Sequence, residues 1–350
     1  KKFADVPGKD LAISTRVFTR EACRRIVTAA FEYAEKFGYE CVGLTDGWKG
    51  LVEGLTTPLN RDITEYIIAQ GGTMLGTSRT NPFKSGEGVK KCLETFRKLD
   101  LHALVAMGGE DTLGVATKFY KEHKLNVVGV PKTMDNDLDA TDYTFGFDTS
   151  VTKAMEAAGS LTDTGRSHRR VMVLEVMGRH AGWVALFTAI ASAADFVCIP
   201  EKTIDTEAMI KKIKEAYAKK KFALVVTSEA SELPAVGEGE QKRELDQFGH
   251  VILKDRGMGE RIASFIEKNT GFETRSAVIG HMQRGGAPTL FDRMLGVRVG
   301  VKAAELVRDG EFGQMAALVG NRIVGVPLEK ATGQLKTVSK DWDGLTEVLF

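Results

Sequence analysis

Two stretches decide the fold: Ala103-Leu-Val-Ala-Met-Gly-Gly-Glu-Asp-Thr112 and Val127-Val-Gly-Val-Pro-Lys-Thr-Met-Asp-Asn-Asp137. Each opens with an unbroken apolar run that is short for a helix, and each closes on a turn carrying charge. Such runs suit strands buried on both faces, as in a parallel sheet covered by its crossover helices. The same pattern recurs at Val171–Val176, Phe196–Ile199, Ala223–Thr227 and Ala277–Ile279. Helical patterns at Gly86–Leu99, Leu113–His123, Thr206–Lys219 and Met258–Asn269 lie between them, and Ala181–Ala191 reads as a buried helix. Alternating strands and helices predict an α/β fold with mostly parallel sheets.

The turn after each strand is more informative than the strand. Met107 runs into Gly-Gly-Glu-Asp-Thr112, Val130 into Pro-Lys-Thr-Met-Asp-Asn-Asp137, and Val176 into Met-Gly-Arg-His180. Thr227 runs into Ser-Glu-Ala230, and Ile279 into Gly-His-Met-Gln-Arg-Gly-Gly286. Parallel sheets bind ligands outside the carboxyl ends of their strands, so five polar clusters at five such ends describe one site.

The residue types suggest phosphate chemistry. Glu110, Asp111, Asp135 and Asp137 are carboxylates on turns. Hard oxygen ligands of this kind suit Mg²⁺, which commonly takes one or two carboxylates plus substrate phosphates. Arg79, Lys132, Arg170, Arg179, Arg275 and Arg284 supply the opposite charge, and guanidinium forks match phosphate oxygens. Taken singly, each has a plainer reading: Gly-Gly-Glu-Asp as a tight turn, Asp-Asn-Asp as an Asx turn, His281 as a structural histidine. Their shared place at strand ends favours phosphoryl transfer. Two other phosphate motifs are absent. Gly109-Glu-Asp-Thr-Leu-Gly114 has Walker spacing but is followed by Val115 rather than Lys, and Gly257-Met-Gly259 lacks the third glycine of a dinucleotide loop.

Composition narrows the class. The 350 residues suggest about two domains. Lys and Arg number 48 against 47 Asp and Glu, which argues against nucleic-acid and membrane-surface partners. The longest apolar run, Ala181–Ala194, is broken by Thr188 and Ser192 and falls short of the roughly 20 residues of a membrane span. No apolar stretch follows the lysines of Lys1–Asp10, so no signal sequence is expected. Cys23, Cys41, Cys92 and Cys198 are scattered without metal spacing, which fits a reducing cytoplasm. Glycine is 37 of 350, above the average of about 7%, and clusters where backbone would approach a ligand.

From about Gly38 to Phe350 the chain resembles the phosphofructokinases. The resemblance is carried by Asp46-Gly-Trp-Lys-Gly50, Gly76-Thr-Ser-Arg-Thr-Asn-Pro-Phe83, the turns Gly108–Thr112 and Pro131–Asp137, Tyr143-Thr-Phe-Gly-Phe-Asp-Thr149, Glu175–Trp183 and Gly280–Gly286. It implies two similar three-layer halves with the site in the cleft between them. Residues 1–145 with about 255–310 would form the donor and Mg²⁺ half, and 146–254 with 311–350 the sugar-phosphate half. It implies phosphorylation of fructose 6-phosphate at its 1-hydroxyl, in a homo-oligomer, dimer or tetramer. Asp135 is similar to the catalytic base, Thr133 would help hold the transferring group, and Glu110 with Asp137 would serve Mg²⁺. Gly109, Asp111, Thr112, Arg79 and Lys132 would face the donor. Met177, Gly178, Arg179, Glu229, His281 and Arg284 match the sugar-phosphate pocket. Arg170 and Arg275 match arginines that reach a neighbouring subunit's sugar.

Two positions speak to the donor. ATP-using relatives typically carry glycine where this chain has Asp111 and Lys132, and pyrophosphate-using relatives resemble this chain at both. A carboxylate at Asp111 would meet the α-phosphate of ATP with steric and like-charge cost. Lys132 would add positive charge where a pyrophosphate leaving group gathers negative charge. The expected donor is pyrophosphate, in a reversible reaction. An ATP-dependent enzyme and a catalytically impaired sugar-phosphate-binding homologue are the alternatives. The last arises because the chain departs from the family at its start. A glycine-rich donor loop is expected after the first strand, but Leu11–Thr15 leads into Arg16-Val-Phe-Thr-Arg20 and a helix over about Glu21–Phe37. Residues 1–37 instead resemble a segment of the isocitrate/isopropylmalate dehydrogenases, at Phe18–Ile26 and Ala30–Ala34.

Overall fold

The computed structural model describes residues 10–13, 36, 38–64, 67–84, 86–234, 257–339 and 341–342. The first part of the chain gives β1 (Asp10–Ile13), β2 (Cys41–Leu44), α1 (Trp48–Glu53), β3 (Thr56–Pro58), α2 (Gly88–Lys98), β4 (Leu101–Gly108), α3 (Glu110–His123) and β5 (Val127–Pro131). The middle gives α4 (Phe147–His168), β6 (Val171–Val176), α5 (Trp183–Ala191), β7 (Phe196–Cys198), α6 (Thr206–Lys220) and β8 (Ala223–Ser228). The last part gives α7 (Met258–Thr270), β9 (Thr274–Val278), α8 (Leu290–Arg308), β10 (Gln314–Val319), β11 (Arg322–Pro327) and α9 (Leu328–Thr332).

The strands form two sheets, β11-β10-β5-β4-β1-β2-β3 and β7-β8-β6-β9. The smaller sheet is parallel throughout. The larger is parallel at its centre and antiparallel at both edges, where β11 and β3 pair. Every residue of β5, β6 and β8 is buried, as their unbroken apolar runs require. Side-chain alternation splits each sheet between two cores. Ala103 and Val105 of β4 face the core built with α8, whereas Leu104 and Ala106 face the core built with α3. In β6, Met172 and Leu174 face α5, and Val171 and Val173 face α7. Each half therefore has the expected three layers.

The division between halves differs from the sequence expectation. β9 was expected with the first half but pairs with β6 in the smaller sheet. Residues after 310 were expected with the second half, but β10 pairs with β5 in the larger sheet and carries β11 beside it. Within 255–310 only α8 packs as expected, on the larger sheet's core through Leu295, Val299 and Ala303. The reason is burial of strand faces. The apolar positions of β9 and β10 complete different sheets, and the long α8 carries the chain back between them. The β10–β11 hairpin turns at Gly320–Asn321, a dipeptide suited to a two-residue turn. The strand expected at Leu11–Thr15 is present as Asp10–Ile13, between β4 and β2. The glycine-free stretch Arg16–Arg20 and the helix expected over 21–37 lie outside the described residues, Lys36 apart.

One buried carboxylate joins the helices that cross between halves. Asp292, in the first turn of α8, accepts from the backbone N–H of Gly146 at 2.8 Å and of Thr149 at 2.7 Å, and from the Thr149 hydroxyl. Gly146 stands at φ 105° at the start of α4, a conformation that favours glycine. Burial pushes the Asp292 carboxyl up, and the hydrogen bonds from Thr149 and Gly146 oppose that. Asp292→Ala would leave those donors without a partner inside the protein. It is expected to cost about 3 kcal/mol, measured by denaturant unfolding; a loss below about 0.5 kcal/mol would show that the link is dispensable.

Candidate active site

The first strand-end turn is built by close approach. A Cβ on Gly108 would sit 2.4 Å from Thr112 Cβ, and one on Gly109 would sit 3.3 Å from Thr133 Cβ. Glycine at both positions lets α3 start at once, with Glu110 and Asp111 in its first turn, where the helix dipole favours carboxylates. The second turn is latched beside the first by the Lys132 N–H, which donates to the Gly108 carbonyl at 2.9 Å. Between them opens a pocket lined by Gly47, Trp48, Thr77, Gly109, Thr112 and Lys132. Arg79 is exposed on the neighbouring loop. That loop is pinned by the Ser78 hydroxyl on the Asp46 carbonyl at 2.7 Å and by Phe83 packed 4.9 Å from the Phe119 ring.

The turn from Lys132 to Asp137 is held by its own side chains. The Thr133 hydroxyl reaches the Asp135 carboxylate at 3.4 Å and accepts from the Asp135 N–H at 3.2 Å. The Thr144 hydroxyl donates to the Thr133 carbonyl at 2.8 Å, and Asn136 Oδ1 accepts from the Thr144 N–H at 3.0 Å. Asn136 sits at φ 54°, a left-handed conformation asparagine tolerates. Asp137 is buried, and its Oδ1 has no hydrogen-bond partner. Burial first, then Asp135 and Glu110, push its carboxyl up to about 7, against its own backbone hydrogen bond and Lys336. The Asp137 carboxylate thus stands buried within the field of two others, a setting that a divalent cation relieves. Among the described residues no three metal-ligating side chains already stand at coordination spacing. That is compatible with Mg²⁺, which keeps waters and borrows phosphate oxygens.

The other half supplies a second wall. Gln283 Oε1 accepts from the Met177 N–H at 2.7 Å, while its Nε2 donates to Ser150 Oγ at 3.1 Å. Glu229 Oε1 accepts from the Gly178 N–H at 3.4 Å, and the Ser228 hydroxyl donates to the Gly178 carbonyl at 2.6 Å. Burial pushes the Glu229 carboxyl up; Asp135 acts in the same direction and Arg179 against it. Asp135 of the larger half and Glu229 with Arg179 of the smaller half therefore share one electrostatic environment. A second pocket spans the halves, lined by Lys132, Thr133, Gly146, Gln283 and Arg284. His281 and Arg284 belong to the short 3-10 turn Gly280–Arg284 after β9.

Two of the expected residues are elsewhere. Arg170 precedes β6 and Arg275 lies early in β9, at the end of the smaller sheet opposite Met177–Arg179. They share one carboxylate, Glu273, at 2.8 and 2.7 Å. The Arg170 hydrogen bond first, then the charges of both arginines, hold Glu273 below its ordinary value. Sequence reasoning passed over Gln283, though it stands inside the Gly280–Gly286 motif, and over Lys336, for which no local signal exists.

Comparisons with known proteins bear on the family and the fold. The family description "Phosphofructokinase" matches residues 22–307, beginning inside the stretch whose residues resemble a dehydrogenase segment. A pyrophosphate–fructose 6-phosphate 1-phosphotransferase of Streptomyces coelicolor is 48% identical over 305 residues, covering 87% of this chain and 88% of that one. An ATP-dependent 6-phosphofructokinase 2 of the same organism is 42% identical over 318 residues, covering 90% and 92%. The crystal structure of the pyrophosphate-dependent phosphofructokinase from Nitrosospira multiformis superposes with a TM-score of 0.79 at 20% identity, over 95% of this chain and 86% of that one. With a family match across most of its length and relatives this similar, the chain belongs to the phosphofructokinase family.

Proposed function

We propose that this chain is a pyrophosphate-dependent phosphofructokinase, which moves a phosphoryl group from pyrophosphate to the 1-hydroxyl of fructose 6-phosphate, reversibly. The observation that carries the reading is the pocket that Lys132 and Thr133 share with Arg284 across the halves, where the charge of Asp135 also acts on Glu229. Asp135 takes the proton of the sugar hydroxyl as its oxygen attacks the nearer phosphorus. The bond to the bridging oxygen breaks, and inorganic phosphate leaves with that electron pair. Lys132 offsets charge gathering on the transferring group and on the leaving phosphate. Thr133 steadies both the Asp135 carboxylate and the incoming group. Glu229, Arg179, Arg284, His281 and the Met177–Gly178 backbone hold the sugar phosphate.

Glu110 and Asp137 are suited to hold Mg²⁺, which would screen phosphate charge when bound. The unpartnered Asp137 Oδ1 supports that assignment. Asp111 and Lys132 favour pyrophosphate over ATP: the carboxylate opposes an α-phosphate, and the ammonium favours a small anionic leaving group. The phosphotransferase name of the Streptomyces relative supports the same donor. The ATP-dependent name of another relative makes ATP the rival to be tested. Arg170 and Arg275, gathered on Glu273 away from their own cleft, suit the role of reaching a neighbouring subunit, in a homo-oligomer. No described helix is long and apolar enough to cross a membrane. The three described cysteines are free and buried, in keeping with a reducing cytoplasm.

Asp135→Asn keeps the shape and removes the proton acceptor. In a coupled assay with pyrophosphate and Mg²⁺, kcat is expected to fall about 10²–10⁴-fold while the KM for fructose 6-phosphate changes little. A variant close to the unsubstituted kcat would remove Asp135 from this role. The donor is tested by Asp111→Gly combined with Lys132→Gly. Pyrophosphate-dependent kcat/KM is expected to fall about 100-fold as a charge aimed at the transition state is lost, and the block on ATP to ease. Full pyrophosphate activity in the double variant, or a preference for ATP in the unsubstituted protein, would overturn the donor assignment.

A further inference from the structure

The segment Gln334–Val338 lies across both halves at the site, and nearly every polar atom of Lys336 has a partner there. Its N–H donates to the Asp137 carbonyl at 2.8 Å, beside an antiparallel bridge between Leu335 and Leu138. Its ammonium donates to the carbonyls of Thr141 and Asp142, each at 2.8 Å. Gln334 adds a hydrogen bond to the Asp139 carboxylate at 2.7 Å. The chain from Asp137 to Asp142 is therefore closed around the Lys336 side chain.

The same residue also faces the smaller half. Its carbonyl accepts from Trp183 Nε1 at 2.7 Å, and its ammonium stands 5.5 Å from the centre of the Trp183 ring. Trp183 is 5% exposed and opens α5, directly after the sugar-side loop that begins at Met177. Two residues on, the Val338 N–H donates to Glu201 Oε1 at 3.0 Å, and Glu201 also accepts from the Gly182 N–H at 2.9 Å. The strap thus holds the end of the sugar-side loop and the far side of the Asp135–Asp137 turn in one network.

We propose that Lys336 is a positioning residue for catalysis, fixing the Asp135–Asp137 turn of the larger half relative to the sugar-side loop of the smaller half through its joint contacts with Asp137, Thr141, Asp142 and Trp183. It touches no reacting atom. This role rests on the proposed parts of Asp135 as base and Asp137 as metal ligand. A lysine tied down from both sides suits it. Its ammonium stands over the Trp183 ring, and its donors on a flexible tip satisfy the Thr141 and Asp142 carbonyls. A residue that only fastened the C-terminal segment would affect stability. One that sets the distance from base to sugar hydroxyl would affect turnover, because displacements near 1 Å are costly to the rate.

The test uses the full chain with pyrophosphate, Mg²⁺ and fructose 6-phosphate, and measures kcat, KM and thermal unfolding. Lys336→Met keeps the stem and loses the ammonium. It is expected to lower kcat about 10–100-fold, with the KM for fructose 6-phosphate within about threefold. Lys336→Arg, which keeps the charge and the donors, is expected to recover most of kcat, and Trp183→Phe, which removes the opposite anchor, to lower it. If Lys336→Met does not fold, Lys336→Gln and Trp183→Phe carry the same kcat measurement. The proposal is overturned if the folded variants lose thermal stability while kcat stays within about twofold of the unsubstituted protein. If instead Asp135→Asn keeps its activity, the reading of the site fails first and the positioning role falls with it. An active Lys336→Met beside an inactive Asp135→Asn removes the strap's role alone.

Discussion

A carboxylate buried beside two others is the constraint around which this site is arranged. Asp137 has lost its water, stands near Asp135 and Glu110, and has one oxygen without a partner. Left alone, such a group takes up a proton or moves away. Burial and its neighbours already draw proton uptake by Asp137 toward neutral pH, while movement is limited because the turn that carries it is fastened at almost every residue. Thr133 closes on Asp135, Asn136 on Thr144, and Lys336 on Asp137. The carboxyl group is therefore held in place ahead of any ligand. A divalent cation bound with phosphate oxygens would offset its burial and draw it to the ionised form.

The same logic explains why two halves are needed. The larger sheet presents carboxylates, a lysine and glycine-thinned turns, which suit a metal and a small anionic donor. The smaller sheet presents Glu229, Arg179 and the Gln283-braced backbone of Met177, which suit a polar sugar phosphate. Neither set can bring a hydroxyl to a phosphorus by itself. The described connections between them combine aromatic packing, in which the Tyr143 ring meets Phe147 and Phe187 on one side and Phe291 on the other, with hydrogen bonds. Asp292 in α8 receives the start of α4, and Lys336 reaches Trp183. Hydrogen bonds of this kind fix orientation more sharply than apolar packing, because their strength falls steeply with angle.

Much of this was legible in the linear chain. Unbroken apolar runs announced buried parallel strands, since a strand covered on both faces has no polar side to show. Charged, glycine-rich turns after those runs announced the site, since the carboxyl ends of parallel strands share one edge. The motif residues Gly108–Thr112 and Lys132–Asp137 are local in sequence, so their residue types were readable without knowing the fold, although their turns are latched by partners as distant as Thr144 and Lys336.

The sequence by itself determined the fold class and the buried strands of unbroken apolar runs, with the helices between them, because these depend on periodicity and on residue type within short windows. The tertiary structure alone decided which sheet each late strand joins. The exchange of β9 and β10 between halves turns on faces buried against residues far away in the chain, and short apolar strands are alike until they pair. It alone decided that Gln283 supports Met177, 106 positions earlier, and that Lys336 closes on Thr141, 195 positions earlier. It also gathered Arg170 and Arg275 on one carboxylate, Glu273, a pairing that no spacing in the chain shows. The two arginines stand 105 positions apart and meet because β6 and β9 pair side by side.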